Sequence, residues 1–151
     1  MWRQVLVVAA GAFLLGAASG AGQYMGEDHL VPVVARTQGA GQPPTYWVTD
    51  VVIHNVNPYP KTIGLAFLPF DQANELDCSD GCDYPVILTL GARETRLVED
   101  VLGTLFQVTG NTKGALVVSA SADDFPENSP PSGMLNLILV TTRTYNTGDP
   151  A

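Results

Sequence analysis

The chain has 151 residues with fifteen acidic against seven basic side chains, a formal net charge of −8 and only two cysteines. That size suits one domain with a real core, and an acidic field of this strength repels polyanions, so nucleic acid and anionic membrane faces are excluded as expected partners.

The first element is Arg3 followed by an apolar run from Val5 to Leu15 and the small residues Ala17-Ala18-Ser19-Gly20-Ala21. As a helix the apolar run covers about 16 Å, against about 30 Å of hydrocarbon in a bilayer, so it is too short for an anchor. The pattern predicts a secretory signal peptide over residues 1–21. Cleavage is expected to leave Gly22 at the N-terminus, with a cut after Ser19 as the alternative. No cysteine sits at the junction to take a lipid. The product is expected to be exported with no stable membrane anchor, carrying six basic and fifteen acidic residues.

Residues 22–30 are expected to form an N-terminal arm, and residues 31–146 one β-domain, because short β-branched and aromatic runs alternate with Gly, Pro, Asn and Asp. Val31 to Arg36 is the first strand, placed at a sheet edge because Pro32 has no N–H for a ladder. Tyr46 to Asn55 is the clearest strand, and alternation directs Trp47, Val51 and Ile53 to the core. Asn57-Pro58-Tyr59-Pro60 is a turn, and Lys61 to Pro69 returns with Ile63, Leu65 and Phe67 inward, which predicts a hairpin. Val86 to Leu90 and Thr95 to Leu97 follow, around a Gly91-Ala92 turn. Val98, Val101, Leu102, Leu105 and Phe106 then recur at helical spacing, predicting one short helix over about residues 98–108 with Leu102 and Leu105 in the core. Ala115 to Ser121 and Leu135 to Tyr145 complete the strands, separated by a proline-rich acidic loop, and residues 147–151 are a tail. About seven strands at this spacing predict an all-β fold, an immunoglobulin-like two-sheet antiparallel sandwich.

Cys78 and Cys82 stand alone in an acidic loop. In an oxidising compartment such a pair is expected to form a disulfide that stiffens the loop. A redox role is disfavoured because acidic neighbours raise a thiol pKa. Asp77, Asp80 and Asp83 offer oxygens to Ca²⁺, but the acids fall at positions one and four of Asp77-Cys-Ser-Asp-Gly and fail an EF-hand spacing, so a solvated loop is the stronger reading. No nucleophile elbow, zinc motif or phosphate loop occurs, and Asp50 and His54, on one strand face, lie about 13 Å apart and make no dyad. No cofactor is expected, nor catalysis.

Val31-Pro-Val-Val-Ala35, Trp47-Val-Thr-Asp50 with Asn55, Phe67-Leu-Pro69, Leu88-Thr-Leu-Gly91, Val98-Glu-Asp-Val-Leu102, Gly114-Ala-Leu-Val-Val118 and Thr142-Arg-Thr-Tyr-Asn146 together resemble a group of exported bacterial immunoglobulin-like domains. The resemblance implies the fold and an exported location, and it transfers no catalytic residue. Two roles are therefore expected for a secreted non-catalytic domain. One is a structural or interaction protein that self-associates through strand edges or the arm. The other is a module for an extracellular polysaccharide, stacking sugars on Tyr46, Tyr59, Tyr84 and Phe125. Arg143, inside the last strand, is expected either to reach a carboxylate such as Asp50 or to extend into solvent.

Overall fold

The computed structural model describes residues 25–74, 76, 84–120 and 136–148. Eight strands and one helical turn follow in chain order: β1 (Met25–Gly26), β2 (Asp28–Gly39), β3 (Thr45–Asn55), β4 (Lys61–Pro69), β5 (Val86–Leu90), β6 (Thr95–Val98), α1 (Val101–Thr104), β7 (Thr112–Ala120) and β8 (Ile138–Asn146). All strand pairs are antiparallel. The order is β1-β8-β3-β2-β7-β4-β5, with β6 beside β3. The fold is all-β and sandwich-like, and its layers hydrogen-bond into one continuous sheet. The junction is at the end of β2, where Arg36 to Gly39 pair with Val48 to Thr45.

Three strand placements differ from those read in the sequence. β2 is interior, held by β7 on one side and β3 on the other. Its register against β7 slips between Val31 and Val34, around Pro32, so an irregularity absorbs the missing donor and an edge position is unnecessary. β3 and β4 are not a hairpin: β3 pairs with β2, β6 and β8, whereas β4 pairs with β5 and β7. Pro58 and Pro60 cannot donate, and the link is held by side chains instead. Asn55, fully buried, donates to Tyr59 O at 2.8 Å and Gly91 O at 2.9 Å, and its Oδ1 accepts from Asn57 N and Nδ2. Asn57 Nδ2 donates onward to Leu137 O at 2.9 Å. Finally, Met25 to Leu30, read as part of an arm, lie within the sheet of their own chain, against β8 and then β7.

The helix is one turn. Val98 belongs to β6, opposite Val51, so the expected stripe loses its first member to a strand. Asp100 adopts a left-handed conformation (φ 42°) and caps the turn by accepting from Gly103 N, and Gln107 (φ 54°) is left-handed beyond its end. The stripe still enters the interior. Val101 and Leu102 are fully buried, Leu105 and Phe106 partly so, and the Phe106 ring lies 5.9 Å from that of Phe67. The shared core contains Val34, Val51, Ile53, Ile63, Leu65, Leu116, Val118 and Ile138. Lys61 is also fully buried, with its ammonium 5.6 Å from the centroid of the Tyr59 ring.

Candidate functional site

Polar side chains collect where β3 leaves β2 and approaches β6. Asp50 is 2% exposed and its carboxylate is saturated: Oδ1 accepts from Asp100 N at 3.0 Å and Tyr145 Oη at 3.3 Å, and Oδ2 accepts from Arg143 Nη2 at 2.8 Å. Arg143 takes this partner across the sheet while its side chain stays 71% exposed, lying 4.6 Å over the Tyr145 ring, so the two expected behaviours coexist in one residue. The Asp50 hydrogen bond holds the Arg143 guanidinium above its ordinary pKa. Desolvation, then the Asp50 charge, pushes the Tyr145 phenol up. Arg36 pairs with the Asp100 carboxylate and lies 5.7 Å over the Tyr46 ring. The group thus ties β2, β3, β8 and α1 together. Its acceptors are directed at structural donors, and an acid with three partners is poorly placed to act as a base.

Three other titratable groups, His54, His29 and Glu94, are similarly engaged. His54 Nδ1 meets Thr95 Oγ1 at 2.8 Å, and His29 Nε2 donates to Ile138 O at 3.0 Å, so neither histidine approaches Asp50. Glu94 accepts from Gly91 N at 2.6 Å and from Arg96 Nε at 3.0 Å, and these bonds, the Gly91 amide foremost, lower its pKa. Among the described residues no three His, Cys, Asp or Glu side chains are grouped to hold a metal, and no helix is long and apolar enough to cross a membrane.

The aromatic residues are redistributed relative to expectation. Tyr46 and Tyr59 are buried, and Tyr84 is half-buried with its ring lying where a Cβ on Gly64 would project. None of the three is an exposed stacking ring. Trp47, placed in the core by alternation, is instead 39% exposed. It shares parity with Val51 and Ile53 but lies beyond the core, opposite Thr37 at the β2 junction, whereas Tyr46 and Val48 are covered there. Alternation assigns one buried face to a whole strand, and β3 is buried on both faces from Val48 to Val51. Val51, Ile53, Leu65 and Leu102 are fully buried, and Phe67 and Leu105 pack against the core from partly exposed positions. Cys78, Cys82, Asp77, Asp80, Asp83 and Phe125 lie outside the described residues, as do residues 1–21.

Two open surfaces among the described residues bear on binding. The first is the β5–β6 side, where β5 pairs only with β4 and β6 only with β3 among the described residues. A cavity of about 520 Å³ opens there, lined by Leu88, Leu97, Val98 and Leu105 with Arg96 and Glu99. The second is a cleft of about 380 Å³ at the ends of β4, β7 and β2, lined by Thr37, Gln38, Phe70, Asp71, Asn111, Thr112 and Lys113. Phe70 was not singled out in the sequence. The available signal was an aromatic ring directly after the last strand residue, Pro69, where the chain turns and packing no longer conceals it.

No family model matches the chain, and no curated protein matches it. Among solved structures, the Anabaena sensory rhodopsin transducer is similar over 78% of this chain and 87% of that chain, with a TM-score of 0.48 and 16% identity.

Proposed function

We propose that this chain is an exported, non-catalytic interaction domain that joins neighbouring molecules through the open edge of its sheet. The observation carrying this reading is β5. Val86-Ile-Leu-Thr-Leu90 has no charge and no proline, and one side of its backbone has no strand partner among the described residues. Edges are ordinarily blunted by lysine, proline or a bulge, and an unblunted one is a template for a further strand. Ile87, 56% exposed, adds an apolar side chain to that edge. The engagement of Asp50, Asp100, Glu94 and both histidines in internal contacts supports a binding role over a catalytic one.

Export is supported by the leader-like pattern of residues 1–21 and by the resemblance to exported immunoglobulin-like domains. In that setting Cys78 and Cys82 form a disulfide. Mass analysis of the chain expressed in a secreting bacterium checks both points: residues 1–21 are removed, and neither cysteine alkylates without reductant. Retention of the leader would overturn export, and alkylation of both cysteines would overturn the disulfide. The edge is tested by light scattering over a concentration series. The wild type associates as concentration rises, and Ile87→Lys, a charge on an exposed edge position, stays monomeric with an unchanged melting temperature. A wild type that is monomeric throughout, or an Ile87→Lys variant that associates equally well, would refute edge pairing.

A further inference from the structure

We propose that the cleft around Phe70 is a binding site for a neutral oligosaccharide chain running across the strand ends towards Trp47. This site is separate from the β5 edge, and its ligand class follows from what lines it. Phe70 is 43% exposed and held by its backbone, with its N–H donating to Lys113 O at 3.0 Å. The chain turns away at Asp71 (φ 64°), and Asn74 Nδ2 braces the turn by donating to Pro69 O at 2.9 Å. Trp47 pairs directly with Thr37, a lining residue, and opposite residues of an antiparallel pair share a face. Lys113 is opposite Ala35, which shares a face with Thr37. An exposed indole on β3 and an exposed phenyl at the end of β4 therefore flank one polar surface.

The polar groups lining the cleft differ from those around Asp50, Asn55 and Glu94. Around Asp50, Asn55 and Glu94 each carboxylate or amide is taken up by internal bonds. In the cleft, the side chains of Thr37, Gln38, Asp71, Thr112 and Lys113 make no hydrogen bond or ion pair among the described residues. Asn111 is positioned by accepting from Gln38 N at 2.9 Å through Oδ1, which leaves its Nδ2 donor unengaged. Hydroxyls, amides and one charge of each sign beside the exposed Phe70 ring match the chemistry of a sugar: an apolar ring face to stack and a rim of hydroxyls that donate and accept. The cleft's own charges, Lys113 and Asp71, balance, and the acidic chain disfavours a polyanion.

Size favours an oligomer over a single sugar. Phe70 and Trp47 are separated by β7 and β2, three strand spacings or about 14 Å, which is several pyranose rings. The cleft volume is at the small end of the range for ligand sites, so much of a bound chain would lie along the surface.

The test is isothermal titration calorimetry of the whole chain with cellohexaose, laminarihexaose, maltohexaose and chitohexaose, each beside its disaccharide, with dextran sulfate as the anionic probe. At least one neutral hexasaccharide binds, at least tenfold tighter than its disaccharide. Phe70→Ala and Trp47→Ala each weaken it about tenfold, the scale of one stacked ring. Asn111→Ala weakens it with both rings intact, and thermal melts confirm that each variant is folded. Ile87→Lys leaves the affinity unchanged, which separates this site from edge association. The proposal is overturned if no neutral hexasaccharide binds at millimolar concentration, if Phe70→Ala and Asn111→Ala both bind as the wild type, or if dextran sulfate binds more tightly than every neutral chain.

Discussion

Replacing Asp50 by alanine should be among the most destabilising single changes on the polar side of this fold, and the structure indicates how the loss divides. The carboxylate is almost wholly out of water, and its principal partner is the backbone N–H of Asp100, the residue that caps α1. A hydrogen bond to a buried charged group contributes about 1.5–3 kcal/mol, and removing the acceptor leaves that N–H without its partner. The 3.3 Å bond from Tyr145 is long and adds little, and the Arg143 pair is screened by the exposure of the arginine. Some of the loss is offset because a desolvated carboxylate disappears with it. Asp50→Ala is therefore expected to cost about 2–3 kcal/mol, a fall of about 6–12 °C in melting temperature for a domain of this length. Asp50→Asn, which keeps an oxygen facing Asp100 N, should fall between the wild type and alanine. Arg143→Ala should lower the melt by less than half as much as Asp50→Ala. Urea and thermal unfolding of the three variants provide the check. If Arg143→Ala is as damaging as Asp50→Ala, the ion pair and not the cap holds this corner together, and the reasoning fails. A melt within 2 °C of wild type for Asp50→Ala would likewise show that the cluster is not structural.

Asn55→Ala removes a fully buried amide that serves four hydrogen bonds, so it should cost about 3 kcal/mol and increase hydrogen exchange at Asn57 and Arg93, read by native-state exchange. Leu102→Ala empties a fully buried site and should cost about 2–5 kcal/mol in denaturant unfolding, with the lower end indicating that α1 collapses into the gap. Gly114→Ala places a methyl group against the backbone carbonyl of Leu68 on the neighbouring strand, which cannot rotate aside, and should destabilise by about 1–3 kcal/mol. Glu94 has a carboxyl pKa depressed in the folded state, so its contribution is fully present above the ordinary glutamate pKa and is lost as pH falls through the depressed value. Wild-type stability should therefore decline from about pH 5 downward. Glu94→Gln should show a shallower decline, and identical profiles for the two proteins would exclude a role for Glu94.

Element type was largely legible in the sequence because it depends on local chemistry. Alternation in Lys61 to Pro69 and the β-branched run from Ala115 identify strands whatever they later pair with. The short apolar stripe after Val98 marks a turn that must enter the core. Its length was not legible, because pairing of Val98 with Val51 and the left-handed cap at Asp100 are tertiary events. The same holds for the candidate sites. Tyr46 and Tyr59 looked like outward rings, but Arg36 and Lys61, from β2 and β4, lie against them. Trp47 looked like a core anchor, but the core ends before it.

Side-chain branching, proline and charge act over a few residues, so the all-β class, the positions of most strands and the acidic balance are readable before any pairing is known. Which strands meet is a property of the assembled fold. It made β2 an interior strand despite Pro32, separated β3 from β4, and brought Asp50, Asp100, Arg36 and Arg143 into one corner from four distant segments. Pairing in a sheet is set by which edges can satisfy their donors and which faces can be buried together, and both depend on every other strand being in place.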